Sequence, residues 1–182
     1  MRSKRCLGAL TVFLLWAPSF AWAGVLYQYD GNPFQSVAGR YTTSDSLSGT
    51  IEVASVLAPN LTNAAITLTD WSFSDGLKVF DATNSTSNSP MVSTDGVGRI
   101  VSWSIDFSNA QGAVMGTFNN GPVDQIDQAT DFTDGNSLAS NMNLPGNWRL
   151  VPEPSSGALG ALSLTLLLGA HFWISRRRLL AD

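Results

Sequence analysis

Between residues 124 and 136 four carboxylates recur: Asp124, Asp127, Asp131 and Asp134, with Gly135 and Asn136 after the last. Hard carboxylate and amide oxygens closing one loop suit calcium. The candidate ligands are Asp131, Asp134 and Asn136. The spacing departs from the EF-hand pattern, which needs acids at alternate positions and a closing glutamate. The first expectation is therefore an acidic, solvated loop and a protein without a cofactor. Asp70, Asp75 and Asp81 bracket a second segment, and Asp106 lies within a strand-like run. Paired carboxylates hydrolyse glycosides when held at a suitable separation. These aspartates mostly occupy turn positions, where Asp is favoured for its hydrogen bonds to the backbone. The single Cys and single His, Cys6 and His171, both fall outside residues 24–150. That segment therefore has no thiol nucleophile, no Cys-based zinc site and no base for a Ser-His-Asp triad. A non-enzymatic protein is expected.

The elements that must carry these residues read as strands. Apolar residues alternate with Ser, Thr and charged residues at period two, the signature of half-buried strands. Val25 to Tyr29 opens the series, with a turn expected at Asp30-Gly31-Asn32-Pro33. Leu47, Gly49, Ile51 and Val53 share one face of the next run. Ile66 to Ser74 and Leu77 to Ala82 flank Asp75-Gly76, a hairpin signal. Pro90 to Thr94 and Arg99 to Phe107 flank Asp95-Gly96-Val97-Gly98, and Ala113 to Phe118 follows. Trp148 to Val151 forms a last edge strand stopped by Pro152. A helix over Asn60–Ala65 stays open. Seven or eight strands in 127 residues predict a single all-β domain over 24–150, a β-sandwich of jelly-roll-like form. In the run Val101, Trp103, Ile105 and Phe107 the aromatics alternate with Ser102, Ser104 and Asp106, which points them into a core. Trp71 reads the same way. Trp148 is the tryptophan that could instead stack on a sugar, and a carbohydrate-binding module, with or without calcium, is the alternative function.

Charge is distributed unevenly along the chain. Residues 24–150 hold four basic side chains (Arg40, Lys78, Arg99 and Arg149) against twelve acids, a net charge of −8. A nucleic-acid partner is unexpected, because such binding needs a basic footprint. Arg2, Lys4 and Arg5 precede the apolar run Leu7 to Trp16, and Ala21-Trp22-Ala23 gives a small-x-small cleavage pattern before Gly24. Residues 1–23 thus read as a secretory signal peptide cut by signal peptidase. Residues 156–175 contain no Asp, Glu, Lys or Arg. Twenty residues at the helical rise cover about 30 Å, the thickness of a bilayer core, which predicts a transmembrane helix. Arg176, Arg177 and Arg178 follow at once and mark 176–182 as a basic cytoplasmic tail, with the domain outside. Between domain and span, Val151-Pro152-Glu153-Pro154-Ser155 is a tether that two prolines keep extended.

The ordered set of Val151, Pro152, Glu153 and Pro154, an apolar span, and Arg176, Arg177 and Arg178 resembles the PEP-CTERM sorting signal of Gram-negative bacteria. The resemblance covers residues 151–182. It implies processing by an exosortase, a transient stay in the inner membrane with the domain in the periplasm, and final residence at the cell surface or in an extracellular matrix. It also implies association with exopolysaccharide and biofilm. Pro152, Glu153 and Pro154 would be residues acted upon. The Leu144-Pro145-Gly146-Asn147-Trp148 stretch lacks the Thr and final Gly of the comparable cell-wall sorting motif.

Overall fold

The computed structural model describes residues 24–121, 125–133 and 136–152. The signal peptide with Ala21 and Ala23, the acids Asp124 and Asp134, Glu153 and Pro154, the apolar span and Arg176–Arg178 lie outside the described residues. The described residues are all-β. In chain order the strands are β1 (Val25–Pro33), β2 (Ser36–Ala38), β3 (Ser46–Val53), β4 (Ala64–Ala65), β5 (Leu68–Ser74), β6 (Val79–Asp81) and β7 (Ser85–Ser87). They continue with β8 (Met91–Thr94), β9 (Ile100–Asn109), β10 (Val114–Asn119), β11 (Gln125–Asp131), β12 (Ser137–Met142) and β13 (Asn147–Leu150).

Two antiparallel sheets result. One has the order β13-β1-β3-β5-β6; the other runs β2-β12-β11-β10-β9-β8-β4, with β7 also pairing to β9. Their buried faces meet in one core. Tyr29 of β1 lies edge-on to Trp103 of β9, with ring centroids 5.9 Å apart, and Phe73 of β5 meets Phe107 of β9 at 4.9 Å. The alternation in the sequence explains which side chains enter: Tyr27 and Tyr29, Leu47, Ile51 and Val53, then Trp103, Ile105 and Phe107 are all buried. Gly49 shares the inner face of β3, where a Cβ would stand 2.5 Å from Phe73 Cγ, so glycine there lets the Phe73 ring lie on the strand.

Three local expectations are corrected and one open reading is closed. Asp30 to Pro33 continue β1 through a register shift against β3 and do not leave the sheet. No helix forms over 60–65; Asn60 and Asn63 take left-handed φ of 59° and 42°, incompatible with a helix, before β4 pairs with β8. Val101 turns outward, because the register of β8 on β9 shifts between Ser93↔Ser102 and Thr94↔Ile100 and brings Ile100 inside in its place. The segment read as a solvated acidic loop contains β11, and Asp127 and Asp131 are buried in it. The strand order also differs from a jelly-roll-like arrangement. β8 to β12 pair consecutively as a meander, whereas a jelly roll passes successive strands between its sheets.

Candidate functional site

The edge strand β13 carries the chain out of the domain. It pairs with β1 in the register Tyr27↔Leu150, Gln28↔Arg149 and Tyr29↔Trp148. The Val151 N–H extends the ladder by donating to the Leu26 carbonyl at 2.9 Å. Pro152 is exposed and has no N–H to give, so pairing ends there. Because β13 is antiparallel to β1, its last residues lie beside the first residues of β1. Gly24 and Pro152 therefore emerge at the same end of one sheet edge. The expected tether begins where the structure puts a strand end, and the expected cleavage point Gly24 lies next to it.

Beside this exit is a cleft of about 240 Å³ whose walls include Tyr27, Val56, Val97, Arg99, Trp148 and Leu150. The turn between β8 and β9 supplies Val97 and Arg99. Asp95 shapes that turn by accepting from the Val97 and Arg99 backbone N–H groups at 3.0 and 2.9 Å. Asp95 also accepts from Arg99 Nε at 2.7 Å, and these bonds hold its carboxyl below the usual carboxylate range. Arg149 lies 3.4 Å from Asp30.

The three tryptophans among the described residues are mainly core. Trp103 donates from Nε1 to Thr117 Oγ1 at 2.8 Å and is buried. Trp71 is half-buried, stacks on Phe107 and donates to Ser85 Oγ at 3.0 Å. Trp148, the candidate sugar platform, packs its ring against Tyr29, Phe73 and Trp103, and so shows the cleft only part of its surface.

The carboxylates are held locally. Asp75 is buried and accepts from the Leu77 and Lys78 N–H groups at 2.8 Å each and from Tyr41 Oη at 2.5 Å, closing the β5–β6 hairpin. Asp81 accepts from Thr83, whose hydroxyl bond chiefly lowers its pKa. Asp70 accepts from the next N–H along the chain, at 2.8 Å, and Asp106 from Asn88 at 2.7 Å. Of the calcium candidates, Asp131 is buried at the end of β11 and Asn136 has a left-handed φ of 67°. Asp131 pairs with the Lys78 ammonium and accepts from Thr133 Oγ1 at 2.6 Å. Burial pushes its carboxyl up, but Lys78 and Thr133 together outweigh this and bring it down to about 2. Its two oxygens thus already serve Lys78 and Thr133. No group of three or more His, Cys, Asp or Glu side chains converges among the described residues.

One polar cluster escaped the sequence reading. Between the sheets, Tyr29 Oη donates to Asp127 Oδ1 at 2.6 Å and accepts from the Gly146 N–H at 2.7 Å. Asp127 sits between Thr117 and Asn141 in the register of β10, β11 and β12. Burial raises the Asp127 carboxyl pKa, opposed by the Tyr29 and Thr117 hydrogen bonds. The period-two spacing of Asp127, Ala129 and Asp131 was its one signal in the sequence.

No protein-family model, curated protein or solved structure matches the chain. Among the described residues no helix is long and apolar enough to cross a membrane.

Proposed function

We propose that this is an exported, non-enzymatic protein of the cell surface or extracellular matrix, sorted by a PEP-CTERM-like tail and processed by an exosortase. The observation that carries the reading is the ordered tail: Pro152-Glu153-Pro154, twenty residues without a charge, then Arg176-Arg177-Arg178, opposite an N-terminal export signal. In this reading residues 156–175 are a transmembrane helix that holds a β-sandwich outside the membrane until the tether is cut. The exposed strand end at Pro152 supports it, since an enzyme reading an extended peptide needs a segment free of sheet pairing. The side-by-side exit of Gly24 and Pro152 supports it too, because both membrane-directed segments then leave the same pole of the domain. Carboxylates bound into turns and pairs favour a non-catalytic role.

Mass spectrometry of the mature surface form tests the proposal. The expected N-terminus is Gly24, and the expected C-terminus lies near Pro152-Glu153-Pro154. Residues 156–182 still attached in the surface form would overturn the sorting claim. Glu153→Ala should leave the precursor in the membrane fraction.

A further inference from the structure

The end of the domain from which the tether leaves gathers exposed aliphatic side chains and two arginines around one cleft. Val97 is 72% exposed, Val56 59% and Leu150 48%, and all three border the same cleft. Arg99 and Arg149 border it as well, two of the four basic residues in 24–150. Each guanidinium meets one carboxylate, Arg99 through Nε and Arg149 through one Nη. A guanidinium has five N–H donors in a fork suited to phosphate, so both keep donors to spare. Exposed aliphatic side chains interleaved with arginines on an otherwise acidic domain match a bilayer interface, where apolar groups enter the headgroup boundary and cations meet phosphates.

Distance supplies the second argument, and it rests on the anchored precursor proposed above. Leu150 is two residues from Pro152, and the apolar segment begins at Ser156. The six residue steps from Leu150 to Ser156 reach at most about 22 Å even when fully extended. The end of β13 is then held that close to the membrane, and the residues around it meet the interface first. We infer that Val56, Val97, Leu150, Arg99 and Arg149 form a face that rests on the phospholipid surface in the anchored precursor. Such a face fixes the height and orientation of the tether for the enzyme that cuts it. Three aliphatic side chains and two arginines make a weak membrane contact by themselves. Cutting the tether therefore frees the domain.

The test uses the full chain with Cys6→Ser and an environment-sensitive dye on Val97→Cys. A second sample carries the dye on Gln111→Cys, in the turn at the far end of β9, about 30 Å away along the strand. Both are reconstituted in phosphatidylcholine vesicles, with and without phosphatidylglycerol, and near-ultraviolet circular dichroism checks the fold. The expected result is quenching of the Val97 dye by brominated lipid, severalfold greater than at position 111. Arg99→Glu with Arg149→Glu should reduce it severalfold. Chains that float with the vesicles while both dyes stay equally unquenched overturn the inference and leave the anchor standing. Chains that fail to float overturn the anchored reading and this inference with it. A blue shift at position 97 without lipid quenching means that protein covers the face, and also overturns it.

Discussion

Tyr29 and Asp127 join the two sheets through a 2.6 Å hydrogen bond between side chains 98 positions apart, both wholly buried. Two acceptors beside this bond lack a donor among the described residues: Asp127 Oδ2 and Asn141 Oδ1. The Asn141 amide cannot be flipped to help, because its Nδ2 already serves the Leu144 carbonyl at 3.1 Å and the Asn32 carbonyl at 3.4 Å. Asp127 and Asn141 are direct cross-strand partners. A proton on Asp127 Oδ2 would turn that oxygen into a donor, and burial drives its pKa in that direction.

Asp127→Asn should therefore be tolerated. Its carboxamide oxygen keeps the bond from Tyr29, and its Nδ2 offers the donor that Asn141 Oδ1 lacks. For a folded-state pKa raised above the unfolded value, the stabilisation is complete below the unfolded pKa and is lost as pH rises through the folded one. The wild type should lose stability relative to Asp127→Asn as pH climbs from about 4 toward neutrality. Melting temperatures of both proteins across that range check this; a difference independent of pH would contradict it. Tyr29→Phe leaves the Gly146 N–H and Asp127 without their partner and should cost about 1–3 kcal/mol.

The Lys78–Asp131 pair gives the opposite pH sign. The Asp131 carboxyl lies at about 2, below the ordinary 3.8. Its contribution is complete above the unfolded value and is lost as pH falls toward 2. Lys78→Met leaves a buried carboxylate without its cation and should cost about 1–3 kcal/mol, less than a fully buried pair because the ammonium is partly exposed. Urea denaturation at neutral and acidic pH measures both effects, and the variant's deficit should shrink on acidification. Calcium should leave the wild-type melting temperature unchanged, since Lys78 and Thr133 already engage the two Asp131 oxygens. A calcium-dependent rise that Asp131→Asn abolishes would establish the metal site instead.

Tyr41 Oη donates to Asp75, which also accepts the Leu77 and Lys78 N–H groups of the β5–β6 turn. Tyr41→Phe takes a donor from a buried carboxylate and should lower stability by about 1–3 kcal/mol. Hydrogen exchange should locate the loss, with faster exchange at Leu77 and Lys78 than in β9.

These same contacts explain what the sequence could and could not disclose. Ile105 and Phe107 point inward as their alternation says, and Asp75-Gly76 and Asp95 to Gly98 turn where their chemistry demands. β11 was hidden because its acids look solvated. Asp127 and Asp131 can be buried only because Tyr29 and Lys78, distant in the chain, reach them. Val101 was misread because a bulge, invisible to a period-two pattern, reverses the inside and outside of one residue. The motif of the proposed sorting tail was visible in the linear sequence. The face formed by Val97, Arg99 and Leu150 was not, because the β8–β9 turn and the end of β13 meet only after the sheets pack.

Trp148 separates a core role from a sugar-binding one. Its ring lies 5.0 Å from Tyr29, 6.0 Å from Phe73 and 6.3 Å from Trp103, measured between centroids. Its Nε1 is buried without an acceptor among the described residues. Trp148→Ala removes an aromatic shared by both sheets and should cost about 3–5 kcal/mol. Trp148→Phe keeps most of the ring contacts and discards the unpaired donor, so the lost volume and the relieved desolvation offset each other. Its cost should stay under about 1.5 kcal/mol. Denaturant midpoints of the two variants should therefore differ widely. A sugar platform predicts the reverse: Trp148→Ala would melt like the wild type and lose retardation on a polysaccharide affinity gel. Because Trp148 also seats the edge strand on β1, its loss should loosen β13 and speed proteolysis near Pro152.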